Sequence, residues 1–217
     1  GSEMCIRDRV SKQLDAGKKF FARKYPNMKY LAYFQAYTST YDTVDRLKAM
    51  YEEALMVEDV VGLVIGTRPD CMPDALLNYL EELNKHTFLI VEYGVESANN
   101  NTLERVKRGH TFECSRDTIE RTHQRGIKTG AHVIIGLPGE DAKESIRQAS
   151  IMSSLPIDIL KIHQMQIIRG TLLAKTYLEQ PFHLYTVDEY LDVICEYVKR
   201  LRKDLVLERF VSQSPEG

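Results

Sequence analysis

The chain has 217 residues, 43% hydrophobic and 28% charged, which suits one soluble-type domain or a large part of a bigger protein. No run of roughly 18 apolar residues is present, so no membrane-spanning helix is expected, and no signal peptide is visible. The net charge of −2 excludes a whole-protein field that would draw the chain to nucleic acid or anionic lipid.

Residues 1–9 (GSEMCIRDR) fit nothing that follows, and MCIRDR looks like a translated sequencing-adaptor remnant. They are read as a non-native leader, with one domain expected over residues 10–213. On that reading the natural protein begins further upstream, and the end (VSQSPEG) is abrupt enough to suggest truncation there too.

From there the pattern alternates. Residues 10–25 read as a helix, and 30–37 (YLAYFQAY) as a buried strand. Residues 43–55 set Val44, Leu47, Tyr51 and Leu55 on one helical face. Residues 60–66 (VVGLVIG) form a β-branched strand, and Pro73 and Asp74 open a helix with Leu76, Leu77, Leu80 and Leu83 inward. A strand at 87–95, helical stretches near 101–108 and 115–125, and a strand at 130–135 running into the GLPGE turn come next. A helix at 141–153 leads to the strand-like run 157–168, and a last helix spans 187–203 with Val187, Leu191, Ile194, Val198 and Leu201 at helical spacing.

Five strands, mostly apolar on both faces and separated by helices, imply a parallel sheet covered by helices. Periodicity alone leaves an open doubly wound sheet and a barrel equally possible. In both, function gathers at the carboxyl ends of the strands. Five polar or glycine-bearing segments stand there: Gln35–Thr40, Thr67–Asp70, Glu92–Ser97, Gly136–Glu140 and His163–Thr171. Neither G-x-G-x-x-G nor a P-loop lysine is present, and the proline of GLPGE removes an amide donor that a phosphate cradle would want. H-E-x-x-H and G-x-S-x-G are absent too, which disfavours a zinc enzyme or hydrolase. Cys5, Cys71, Cys114 and Cys195 lie too far apart for a clustered metal site and read as free thiols of a cytoplasmic protein. Alternation sets Ile159, Lys161, His163 and Met165 on one strand face, where a lysine needs a partner or a cavity. His132 sits likewise inside an apolar strand.

Taken in order, YFQAYTSTY (33–41), IGTRPDC (65–71), EYGVESANNNTLERVKRGHT (92–111), HVIIGLPGE (132–140) and LKIHQMQIIRGTLLAKTY (160–177) resemble the YhcC-like group of radical-SAM proteins. These are relatives of the catalytic subunit of the Elongator complex. The resemblance runs over residues 10–213 and implies a partial (β/α)6 TIM-like barrel, with the first strand and the cluster loop missing from this chain. It implies two cofactors, S-adenosylmethionine and a [4Fe–4S] cluster, and a 5′-deoxyadenosyl radical that abstracts hydrogen from a substrate.

Residue by residue, the resemblance places the methionine amino group at the Gln35 loop, with Ala36, Thr38 and Thr40. Arg108 falls on the arginine that pairs with the methionine carboxylate. Glu96 stands where relatives often have glutamine, a ribose or methionine contact, and His132 matches a ribose position. Gly136, Leu137 and Pro138 lie where relatives pack the adenine, and Arg68, Glu92 and Ser97 complete the expected cofactor set. Asp70, His110, Lys161 and His163 are substrate candidates, with an internal salt bridge as the competing role for the charged ones. Residues 1–25 lack the family's three-cysteine motif, so this chain is expected to hold no metal and to be inactive alone. The kinship also implies modification of a tRNA wobble uridine, and an electron donor such as flavodoxin or ferredoxin. Two alternatives are another parallel α/β barrel enzyme and a non-catalytic SAM-binding module.

Overall fold

The structure, a computed structural model, describes residues 10–22, 24, 27–35 and 38–211. Helix α1 (Val10–Ala22) precedes β1 (Tyr30–Phe34), α2 (Val44–Leu55) and β2 (Val60–Thr67). After a short 3-10 turn at Pro69–Cys71 come α3 (Asp74–Asn84), β3 (Phe88–Glu96), α4 (Asn100–Arg105), α5 (Phe112–Gln124) and β4 (Lys128–Ile135). The remainder is α6 (Ala142–Ser154), β5 (Ile159–Gln164), α7 (Leu172–Glu179), α8 (Val187–Val198) and β6 (Val206–Arg209).

All pairings are parallel, and the sheet order is β1-β2-β3-β4-β5-β6. Spatial order equals chain order, so the sheet has no switch point where the winding reverses. That removes the doubly wound alternative. Right-handed crossovers then place the helices on one face of a sheet that curls into a half-barrel. Alternate strand residues divide the work. Leu63, Ile65, Val91, Tyr93, Val95, Ala131, Val133, Ile135, Leu160 and Ile162 join Leu47, Leu76, Leu80, Ile119 and Met152 of the helices in one core. The intervening residues, Glu92, His132 and Lys161 among them, point to the concave side.

The expected strands and helices are present with shifted ends: β5 and α8 are shorter than expected, whereas β4 and α5 begin two and three residues earlier. Three features differ from the sequence reading. Strand β6 and helix α7 were not anticipated, because β6 is a four-residue mostly exposed strand and α7 buries none of its side chains. The inward face of α8 is also rotated from the expected stripe. Val187 and Leu191 are 72% and 52% exposed, while Tyr190, Val193, Ile194 and Tyr197 are buried. Both tyrosine rings pack as core; the Tyr190 hydroxyl donates to the carbonyl of Phe210, while that of Tyr197 is buried with no partner among the described residues.

Candidate functional site

The carboxyl ends of β1 to β4 surround a cleft of about 400 Å3 lined by Tyr33, Gln35, Thr38, Gly66, Thr67, Arg68, Glu92, Gly94, Glu96, Arg108 and His132. Gln35, Thr38, Arg68, Glu92, Glu96, Arg108 and His132, expected from four separate stretches of the chain, therefore share one mouth. Its volume lies near the lower end of the range for small-ligand sites.

Glu92 is the hub of the floor. Its side chain is 1% exposed, and Lys161 Nζ lies 2.7 Å from Oε1 and 2.9 Å from Oε2. Tyr33 donates its hydroxyl to Oε2 at 2.7 Å, and His132 Nε2 stands 3.0 Å from the same oxygen. Gly130 makes this possible, since a Cβ there would sit 2.9 Å from Glu92 Cγ. Burial pushes the Glu92 carboxyl up, but hydrogen bonds from His132, Lys161 and Tyr33 outweigh it and hold the pKa at about 2. Lys161 also reaches Glu208 of β6 at 3.1 Å and lies 4.8 Å from the Tyr33 ring centroid. The polar layer thus ties together β1, β3, β4, β5 and β6. His163, one step nearer the mouth, has its ring centroid 5.5 Å from that of His132. Burial, then the charges of His132, Arg209 and Lys161, lower its pKa to about 4, and its Nε2 is buried without a partner.

The wall is built on a bulge. The β3–β4 register shifts between Gly94 and Glu96, and Glu96 adopts φ +66°, an uncommon region for a residue with a side chain. That turn aims the carboxylate at Arg108, whose Nη2 is 2.9 Å from Glu96 Oε1 and donates to the Gly94 carbonyl at 3.1 Å. A Cβ at Gly94 would lie 2.3 Å from Arg108 Nη2, so only glycine lets the guanidinium cross the strand there. Burial raises the Glu96 pKa against the lowering pull of Arg108. Arg108 Nε is buried with no protein partner, a donor held in reserve.

Other expected residues lie behind this surface. Thr40 is buried and bonds Thr67 Oγ1 at 2.6 Å and the Cys71 carbonyl at 2.5 Å, which anchors the loop. Ala36 lies outside the described residues. Ser97 donates to Glu140 and contacts Gln148, so it joins the β3 loop to the GLPGE turn. Of that turn, Gly136 lies against Tyr185, Leu137 is core, and the Pro138 carbonyl accepts Arg105 Nη1 at 2.9 Å. Asp70 and Arg68 form a two-point pair at 2.6 and 2.9 Å. His110 is buried beside Thr111 and Ser115, with Nε2 unpartnered and its pKa lowered by burial. Lys161 is fully engaged by Glu92 and Glu208, the internal-pair arrangement. Tyr33, Gly94 and Glu208 were not singled out beforehand. Alternation would have put Tyr33 on the inner face, whereas nothing in the string VLER marks Glu208.

Among the described residues, no group of three His, Cys, Asp or Glu side chains is placed to hold a metal ion, and no helix is long and apolar enough to cross a membrane. The family model described as Radical SAM superfamily matches residues 12–147, and that of the Radical SAM C-terminal domain matches residues 157–217. This chain belongs to the radical SAM superfamily. Within it, the chain is 36% identical over 182 residues to protein YhcC of Escherichia coli, covering 83% of this chain and 59% of YhcC. It is 31% identical over 147 residues to the tRNA uridine(34) acetyltransferase of Methanocaldococcus jannaschii, covering 65% of this chain and 26% of that protein. The solved structure of Elp3 from Methanocaldococcus infernus superposes with a TM-score of 0.84 at 20% identity, over 99% of this chain and 55% of that one. That likeness establishes the radical SAM partial barrel. The chain thus spans somewhat more than half the length of YhcC.

Proposed function

We propose that the cleft binds S-adenosylmethionine and that the whole protein is a radical SAM enzyme acting on tRNA. The observation that carries the reading is the convergence of Gln35, Thr38, Glu96, Arg108 and His132 on one mouth. Those residues suit the molecule. Arg108 has a buried unpartnered Nε, and a guanidinium fork matches a carboxylate. Glu96, 2.9 Å from Arg108, sets a negative group beside it, and the pair can separate to take the ammonium and carboxylate ends of an amino acid. The described residues offer no ligand set for a [4Fe–4S] cluster. When bound in a radical SAM enzyme, such a cluster supplies the electron that breaks a carbon–sulfur bond of S-adenosylmethionine.

What this chain's residues do is bind and orient. Arg108 and Glu96 hold the amino-acid end, His132 meets the sugar, and the Tyr33–Glu92–Lys161 layer closes the floor against water. Without the cluster, the chain alone binds the cofactor and does not cleave it. The tRNA reading is supported by the named activity of the Methanocaldococcus jannaschii relative, and we include in the proposal an electron donor such as flavodoxin or ferredoxin. Calorimetric titration with S-adenosylhomocysteine tests the first part; no binding at millimolar ligand refutes it. Nucleoside analysis of tRNA after deletion of the whole gene tests the second; an unchanged uridine modification profile refutes it.

A further inference from the structure

The His132–Glu92 contact decides which nitrogen of the ring faces a ligand. Nε2 of His132 is 3.0 Å from Glu92 Oε2, and the Glu92 side chain is 1% exposed. The carboxylate is ionised, with Lys161 Nζ 2.7 Å from its other oxygen. An ionised carboxylate accepts hydrogen bonds and donates none. The proton between His132 and Glu92 therefore belongs to Nε2. Lys161 holds that carboxylate from the other side and shares its charge with Glu208 at 3.1 Å. Of the other groups near the imidazole, Glu96 is a second carboxylate that interacts with the ring, and His163, its ring neighbour at 5.5 Å, has its pKa lowered to about 4, chiefly by burial, and stays uncharged near neutrality. Tyr33 spends its hydroxyl proton on Glu92. Among the described residues nothing is bonded to His132 Nδ1, and the ring lines the cleft.

We infer that Glu92 is a positioning residue that fixes His132 as the Nε2–H tautomer, leaving Nδ1 as a bare acceptor on the cleft wall for a hydroxyl of the ligand. The inference rests on the adenosylmethionine reading only for naming that hydroxyl, which is then one of the ribose pair. A merely structural Glu92 would stabilise the floor without choosing a tautomer. A choosing Glu92 makes the site demand a donor and discriminate against sugars that lack one.

Two measurements test it on the chain as it stands. Nitrogen NMR of the 15N-labelled protein at pH 7 reads the ring directly: a protonated Nε2 and a bare Nδ1 are expected, and an Nδ1–H tautomer or a doubly protonated ring overturns the proposal. Titration with S-adenosylhomocysteine and its 2′-deoxy and 3′-deoxy analogues reads the consequence. One analogue is expected to bind about tenfold more weakly, the worth of one net hydrogen bond. In Glu92→Gln the amide can donate to Nε2 and free the tautomer, so that preference falls below about threefold; an unchanged preference overturns the proposal. If that variant fails to fold, His132→Asn substitutes, because its Oδ1 can stand in for Nδ1 as acceptor without Glu92. Retained discrimination is then expected, and its loss counts against the idea. Failure of the parent to bind S-adenosylhomocysteine at all sinks the cofactor reading instead, while the NMR result still decides the tautomer.

Discussion

Replacing Lys161 by methionine keeps the stem and removes the ammonium from the centre of the concave face. The side chain is 4% exposed, and its Nζ touches both oxygens of Glu92, itself 1% exposed. Removing one partner of such a pair leaves a buried uncompensated charge, a loss of about 3–5 kcal/mol. Tyr33 and His132 still donate to Glu92, which puts the expectation near the lower bound, at about 3 kcal/mol. The fall of the Glu92 pKa from its ordinary 4.5 to about 2 has the same size, about 3 kcal/mol at 1.36 per unit, although His132 and Tyr33 share in it. For a chain of this length each kcal/mol moves the midpoint by roughly 2–4 °C, so Tm should drop by about 6–12 °C. Urea unfolding at pH 7 measures the free energy directly. The double variant Lys161→Met with Glu92→Leu removes both charges and should recover most of the loss. A single variant within about 1 kcal/mol of wild type, or a double variant no better than the single, refutes the argument that this pair is buried and mutually dependent.

Arg108→Lys should weaken S-adenosylhomocysteine binding by about tenfold or more, read by calorimetry, because an ammonium cannot keep the Gly94 carbonyl and Glu96 while presenting a fork. His163 titrates at about 4 in the fold against 6.5 ordinarily, so between those values the unfolded chain binds the extra proton. Its contribution is therefore complete above pH 6.5 and is lost as pH falls toward 4; His163→Gln should flatten that part of the stability profile measured from pH 7 to 4. Gly139→Ala should cost roughly 1–3 kcal/mol in chemical denaturation, since residue 139 has φ +92° and a Cβ would sit 1.4 Å from Arg105 Nη1.

Much of this architecture was legible in the chain because parallel buried strands carry apolar residues on both faces, as at residues 60–66 and 130–135. Periodicity could not choose the barrel, since that depends on which strands become neighbours, a matter of long-range pairing; the ordered motifs of the family resemblance did. The face of α8 differs from the aliphatic spacing because that spacing leaves out Tyr190 and Tyr197, whose rings are core. In the site, His132, Lys161 and His163 stood out as polar groups in apolar runs, and Glu92 as part of a polar strand end. Their partners did not, because only the register that sets His132 beside Lys161, and Gly130 beside Glu92, brings them together. Glu208 carried no local mark, and its contact with Lys161 exists because β6 docks on β5.

The order of the strands has a consequence for how the molecule assembles. Since each strand lies beside its predecessor in the chain, βα units can add one after another during synthesis, with little backbone left waiting for a distant partner. Glu92 on β3 is the exception, because its counter-ion arrives 69 residues later on β5. Until then the carboxylate must keep its water. The outer, helix-covered side can set early, while the hollow where a ligand would sit dries only once β5 is in place.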